Sequence, residues 1–147
     1  MSEFRAGALR MGREFSLRGR DRIKFLFSKA RRRSGENLTV FYDLQIAGAD
    51  QPGGFKALVA VPRRTGSAVA RNKIRRRLRE TIRTWPRRVE LAGDLIVRYN
   101  PRSSAAPGKK DSRPLAGRVR LDRSRLQDLS AELGALLERI YQQITTE

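Results

Sequence analysis

Six of the nine residues from Arg71 to Arg79 are cationic (Arg71, Lys73, Arg75, Arg76, Arg77 and Arg79), the densest chemical signal in the chain. Guanidinium groups grip phosphate oxygens in pairs and stack on bases, so the chemistry in view is capture of a polyanion. Groups that make and break bonds are scarce by comparison. The 147 residues contain no histidine, the usual general base, and no cysteine, the usual thiolate ligand or nucleophile. The acids that could hold Mg²⁺ are scattered as Asp43, Glu80, Glu90 and Asp94, with no paired spacing. A nuclease working by its own side chains is therefore not expected. Mg²⁺ shared with bridging phosphates stays compatible, because that ion often takes few protein ligands.

A run of cations is usually just a solvated helix face. Such a face normally pairs its cations with acids four residues on, and here Glu80 is the only acid in the segment. At about 100° per residue, Ile74, Leu78, Ile82 and Trp85 fall on one side of a helix over about Ala68 to Thr84, with Pro86 stopping it. Arg75, Arg79, Asn72, Arg83 and Arg76 occupy the neighbouring arc. An apolar edge that anchors the helix thus fixes a basic edge beside it, and repulsion among the cations is relieved when a polyanion binds.

The remaining elements form the support. Apolar residues at Ile23, Leu26, Phe27 and Ala30 predict a helix over about Arg20 to Ala30, with Phe25 off the stripe and Arg31, Arg32 and Arg33 suiting the helix-end dipole. Leu38 to Ile46 alternates as a strand, with Leu38, Val40, Tyr42, Leu44 and Ile46 on one face and Phe41 on the other. Phe55 to Val61 and Asp94 to Tyr99 read as two more strands, separated from their neighbours by the Gly48–Gly54 turn and by Asn100-Pro101. A last helix from about Asp122 to Ile144 carries Leu126, Leu129, Leu133, Leu136, Leu137, Ile140 and Ile144 on one side, with Ser124 and Gln127 at capping-box spacing or Asp122 as the cap. Residues 1–14 read as a flexible basic arm, 15–147 as one domain, and 102–118 as a flexible loop. The order implies an α+β domain with a small mixed sheet packed with helices.

Charge narrows the partner. Lys and Arg number 33 against 15 Asp and Glu, a formal +18, and the pI is near 11.6. DNA, RNA and anionic membranes all suit such a balance. No apolar run reaches the roughly 20 residues that span a bilayer, and the N-terminal residues carry no signal-peptide core, so a cytoplasmic protein without membrane association is expected.

The segment from Leu58 to Glu80 (Leu-Val-Ala-Val-Pro-Arg-Arg-Thr-Gly-Ser-Ala-Val-Ala-Arg-Asn-Lys-Ile-Arg-Arg-Arg-Leu-Arg-Glu) resembles the bacterial ribonuclease P protein component. More weakly, the resemblance runs from about Phe15 to Ile140. It implies a sandwich like the second domain of ribosomal protein S5, with a left-handed βαβ crossover that the general rule of handedness would not give. The implied function is that of an accessory protein subunit of an endoribonuclease that removes the 5′ leader from precursor tRNA, with hydrolysis performed by the RNA subunit and its Mg²⁺. Ribonuclease P RNA and precursor tRNA are the implied partners, and the protein is expected to be monomeric without RNA. Position by position, the signature helix implies RNA contacts for Arg71, Asn72, Lys73, Arg75, Arg76 and Arg79, preceded by Arg63 and Arg64 on the basic loop. A leader-binding cleft falls on Ile23, Phe27 and Phe41. Phe27 reads equally as core; Phe41, opposite the core face of its strand, is expected to stand exposed as a stacking platform. Lys73 replaces the family's usual arginine, keeping charge without the bidentate fork, and Ile23 replaces a usual aromatic. A structural RNA-binding protein of ribosomal type is the alternative that composition permits and the signature helix disfavours.

Overall fold

A computed structural model describes residues 16–48, 54–100 and 123–146; the expected arm, the 102–118 loop and the tip of the Gly48–Gly54 turn lie outside them. The longest alternating segment forms strand β2 (Leu38–Ile46), which runs antiparallel to β4 (Leu91–Tyr99) from Leu38 opposite Tyr99 to Ile46 opposite Leu91. Strand β3 (Lys56–Ala60) lies parallel to β4, and a short edge strand β1 (Arg31–Ser34) lies antiparallel to β2. The sheet order is β1-β2-β4-β3. Helix α1 (Arg20–Lys29) precedes β1, α2 (Ala68–Thr84) connects β3 to β4, and α3 (Arg123–Thr146) follows β4. The expected α+β class with a mixed sheet is the one found.

Two layers of packing explain the arrangement. On one face, Leu38, Val40, Tyr42, Val59, Leu95, Val97 and Tyr99 meet Ile74, Leu78 and Ile82 of α2 and the leucine side of α3. Five residues of α3 are buried there: Leu129, Leu133, Leu136, Leu137 and Ile140. At about 1.5–3 kcal/mol each, their burial far outweighs the ~1 kcal/mol helix cost of Gly134. On the opposite face, α1 sets Leu26 against Phe41 and Ile96, with Leu17 beside them. Leu17 comes from the segment before α1, which reaches the outer edge of β3 through a bond from Leu17 N–H to the Ala57 carbonyl at 3.1 Å.

Four local expectations need correction. Arg31, Arg32 and Arg33 do not close α1; the helix ends at Lys29, Ala30 turns extended, and the arginines enter the sheet opposite Tyr42, Phe41 and Val40. Pairing with a long ready-made neighbour decided their conformation. Strand β4 starts at Leu91, not at Asp94. Gly93, which looks like a breaker, lies inside it at φ 128°, and a Cβ there would sit 2.1 Å from the Asp43 carbonyl oxygen. Glycine marks a close backbone approach here, not the end of a strand. Ile46 is exposed rather than part of the core face. Finally, α3 is already helical at Arg123, so Ser124 is not its cap. Among the described residues no helix is long and apolar enough to cross a membrane.

Candidate nucleic-acid interface

Helix α2 is fixed at both ends and along one side. Ser67 Oγ accepts a bond from the Ala70 N–H at 3.2 Å, and Trp85 N–H donates to the Ile82 carbonyl at 3.2 Å. Ile74, Leu78 and Ile82 are fully buried. Trp85 follows them into the core, its indole N–H donating to Glu138 Oε2 at 3.2 Å and its ring tilted against Phe55 at 6.2 Å. Thr81 adds a hydroxyl contact to Ser130 of α3 at 2.9 Å. A helix held this way loses little further entropy when its outer side chains bind.

Those outer side chains are cations without internal counterions. Asn72, Lys73, Arg76 and Arg79 are exposed, Arg71 and Arg75 half-buried. Glu80, the only acid of the helix, pairs with Arg83 and so leaves Arg76, its other helical neighbour, unpaired. Arg71, Lys73, Arg75, Arg76 and Arg79 form no ion pair among the described residues. Arg75 is aimed by Asn72, whose Oδ1 accepts from its Nη1 at 3.2 Å. Arg63 and Arg64 extend the basic surface, exposed on the 3₁₀ turn just before α2. The surface is broader than one row. Lys73 and Arg76 line a groove of about 590 Å³ between α2 and the start of α3, together with Arg77 and Arg123. Arg71 sits at the edge of the apolar seam, its Nε buried without a partner.

The second group of expected residues converges on the other face of the sheet. Phe27 is 39% exposed on α1 and meets Phe41 edge-on, ring centroids 5.0 Å apart, while half-buried Ile23 packs against the same small cluster. Phe41 itself is only 6% exposed, because α1 lies over it. The expected open platform at Phe41 is therefore corrected: Phe27 is the accessible ring and Phe41 its support. Sequence reasoning passed over Phe25, also 39% exposed, with the Arg22 guanidinium 5.1 Å above its ring. Its place off the apolar stripe was the signal available.

Arg22 also ties this face together. Its Nε donates to Asp94 at 2.6 Å and its Nη2 to Asp43 at 2.7 Å, and these bonds, Asp43 first, raise its pKa above the usual arginine value. Asp43 and Asp94 looked scattered in sequence, yet they stand opposite one another in β2 and β4. Arg22 already occupies both, and among the described residues no group of three or more acids converges.

Comparison with known proteins agrees with this geometry. A family model described as Ribonuclease P matches residues 11–116. A solved structure of the Staphylococcus aureus RNase P protein superposes with a TM-score of 0.57 at 16% identity, over 86% of this chain and 94% of that one. The RNase P protein from Thermotoga maritima gives a TM-score of 0.54 at 22% identity, over 84% of this chain and 96% of that one. At such identities the likeness of the structures concerns the fold. No curated protein matches the chain.

Proposed function

Since the chain belongs to the Ribonuclease P family and is a protein subunit of that tRNA-processing enzyme, we propose that its two faces divide the work of holding RNA. Helix α2, with Arg63 and Arg64 ahead of it, binds the catalytic RNA. The α1 face, through Phe27 over Phe41 and Ile23, binds the single-stranded 5′ leader of precursor tRNA. Hydrolysis falls to the RNA subunit and the Mg²⁺ it holds.

The observation that carries this reading is the set of unneutralised cations on α2 beside a fully buried Ile74-Leu78-Ile82 seam. RNA backbones brought together around a scissile phosphate repel one another. Positioned guanidinium groups lower that repulsion without having to be ordered first. On the other face, an exposed ring stacks on an unpaired base for roughly 1–3 kcal/mol. Because the mature product lacks a leader, that energy favours precursor over product. Without RNA the protein is a monomer, and it works in the cytoplasm.

Reconstitution tests the division. The chain alone leaves precursor tRNA intact at physiological salt and Mg²⁺, while addition of a bacterial ribonuclease P RNA yields 5′ processing at low Mg²⁺ that the RNA alone performs poorly. Cleavage by the protein alone, or no gain over RNA alone, contradicts the assignment.

A further inference from the structure

The arginines of β1 have a use that their place in the sheet does not require. Strand β1 is an outer strand, and charged side chains there guard against pairing with another chain. That accounts for cations spread along the edge. It does not account for their meeting a helix. Arg31 and Arg33 stand opposite Tyr42 and Val40, and so share the sheet face on which α3 packs. With Arg32 at the rim, they line a groove of about 580 Å³ completed by Tyr42, Arg139 and Gln143.

The bonding inside the groove leaves it rich in donors. Arg33 Nη2 and the Tyr42 hydroxyl both donate to Gln143 Oε1, each at 3.0 Å. The oxygen is thereby used twice, and the amide nitrogen of Gln143 is left as a donor. Arg33 is held in place by this bond while its Nε is buried without a partner. Two acids of α3 that could have neutralised the groove are engaged elsewhere. Glu132 accepts from the backbone N–H groups of Asn37 at 2.7 Å and Leu38 at 3.1 Å. Glu138 accepts from Trp85 Nε1 at 3.2 Å and Arg87 Nε at 2.8 Å.

We propose that this groove is a third RNA site, separate from α2 and from the α1 face, which takes the phosphodiester backbone of a folded RNA and reads no bases. The backbone is favoured over a single strand because the groove offers no ring for stacking: Tyr42 is buried to 3% exposure and its hydroxyl is engaged. Sites for unpaired RNA combine cations with accessible aromatics, as the α1 face does. Fixed cations with donors in a row match phosphate oxygens instead. The groove lies at the β1 edge, whereas α2 packs against β3 at the other edge, so one folded RNA could be held at two sides of the sheet.

The test is a salt titration of the full chain against a labelled blunt-ended RNA duplex. Arg139 is exposed and forms no ion pair among the described residues, so Arg139→Ala leaves the fold intact. The expected result is a log–log salt slope shallower by about one unit, for the one lost phosphate contact. Arg139→Lys keeps the slope, since charge is retained. An unchanged slope in Arg139→Ala overturns the proposal. Arg75→Ala with Arg79→Ala is titrated in parallel; failure of the α2 reading appears in that arm and leaves the β1 arm interpretable.

Discussion

Phe27 and Phe41 touch edge to face, yet the two rings answer different experiments. Phe27 is 39% exposed, so Phe27→Ala is expected to weaken binding of precursor tRNA by about 1–3 kcal/mol, with melting temperature and affinity for mature tRNA little changed. Fluorescence titration of both RNAs checks this; equal loss for the two removes the leader from the account. Phe41 is buried beneath α1, and Phe41→Ala is expected to lower stability by about 3 kcal/mol in chemical denaturation, a cavity effect preceding any effect on RNA. At this scale the sequence was legible in part. Alternation correctly set Phe41 opposite Leu38, Val40 and Tyr42. It could not show that another layer covers that face, because a strand pattern records which residues share a side and not what lies on it. Asp43 and Asp94 were hidden for a related reason: strand register, which joins them through Arg22, is a property of the folded sheet.

Among the elements, α2 was the most readable, since its apolar stripe and Pro86 both act locally and agree. Strand β1 was the least readable, because three consecutive arginines and a serine carry no alternation and become a strand only by pairing with β2. The first half of β4 was obscured by Gly93. Gly93→Ala is expected to destabilise the protein by more than about 1 kcal/mol, since its φ of 128° disfavours any side chain and a Cβ would collide with the Asp43 carbonyl. Gly134 presents the opposite case. No neighbouring atom lies within 4 Å of where its Cβ would stand, and it sits inside α3. Gly134→Ala is expected to raise stability by about 1 kcal/mol, read as a higher denaturation midpoint at unchanged slope.

For the molecule as a whole, the formal charge of +18 stands against a two-layer core that could fold without it. The excess costs self-repulsion in the free protein, and bound RNA relieves it. Thermal stability is therefore expected to rise in the presence of the cognate RNA, and this gain shrinks as salt is added. Family membership could be read from the Leu58–Glu80 segment because strand end, turn and cationic helix are contiguous there. The place of the β1 arginines beside α3 became visible only once distant segments were packed together. The central claim is that the buried seam of α2 holds Arg75, Arg76 and Arg79 ready for a phosphate-rich fold. Its most direct test is the affinity of the full chain for ribonuclease P RNA over a range of salt, with and without Arg75→Ala, Arg76→Ala and Arg79→Ala combined. The account predicts weaker binding with a log–log slope shallower by about three units; an unchanged slope would contradict it.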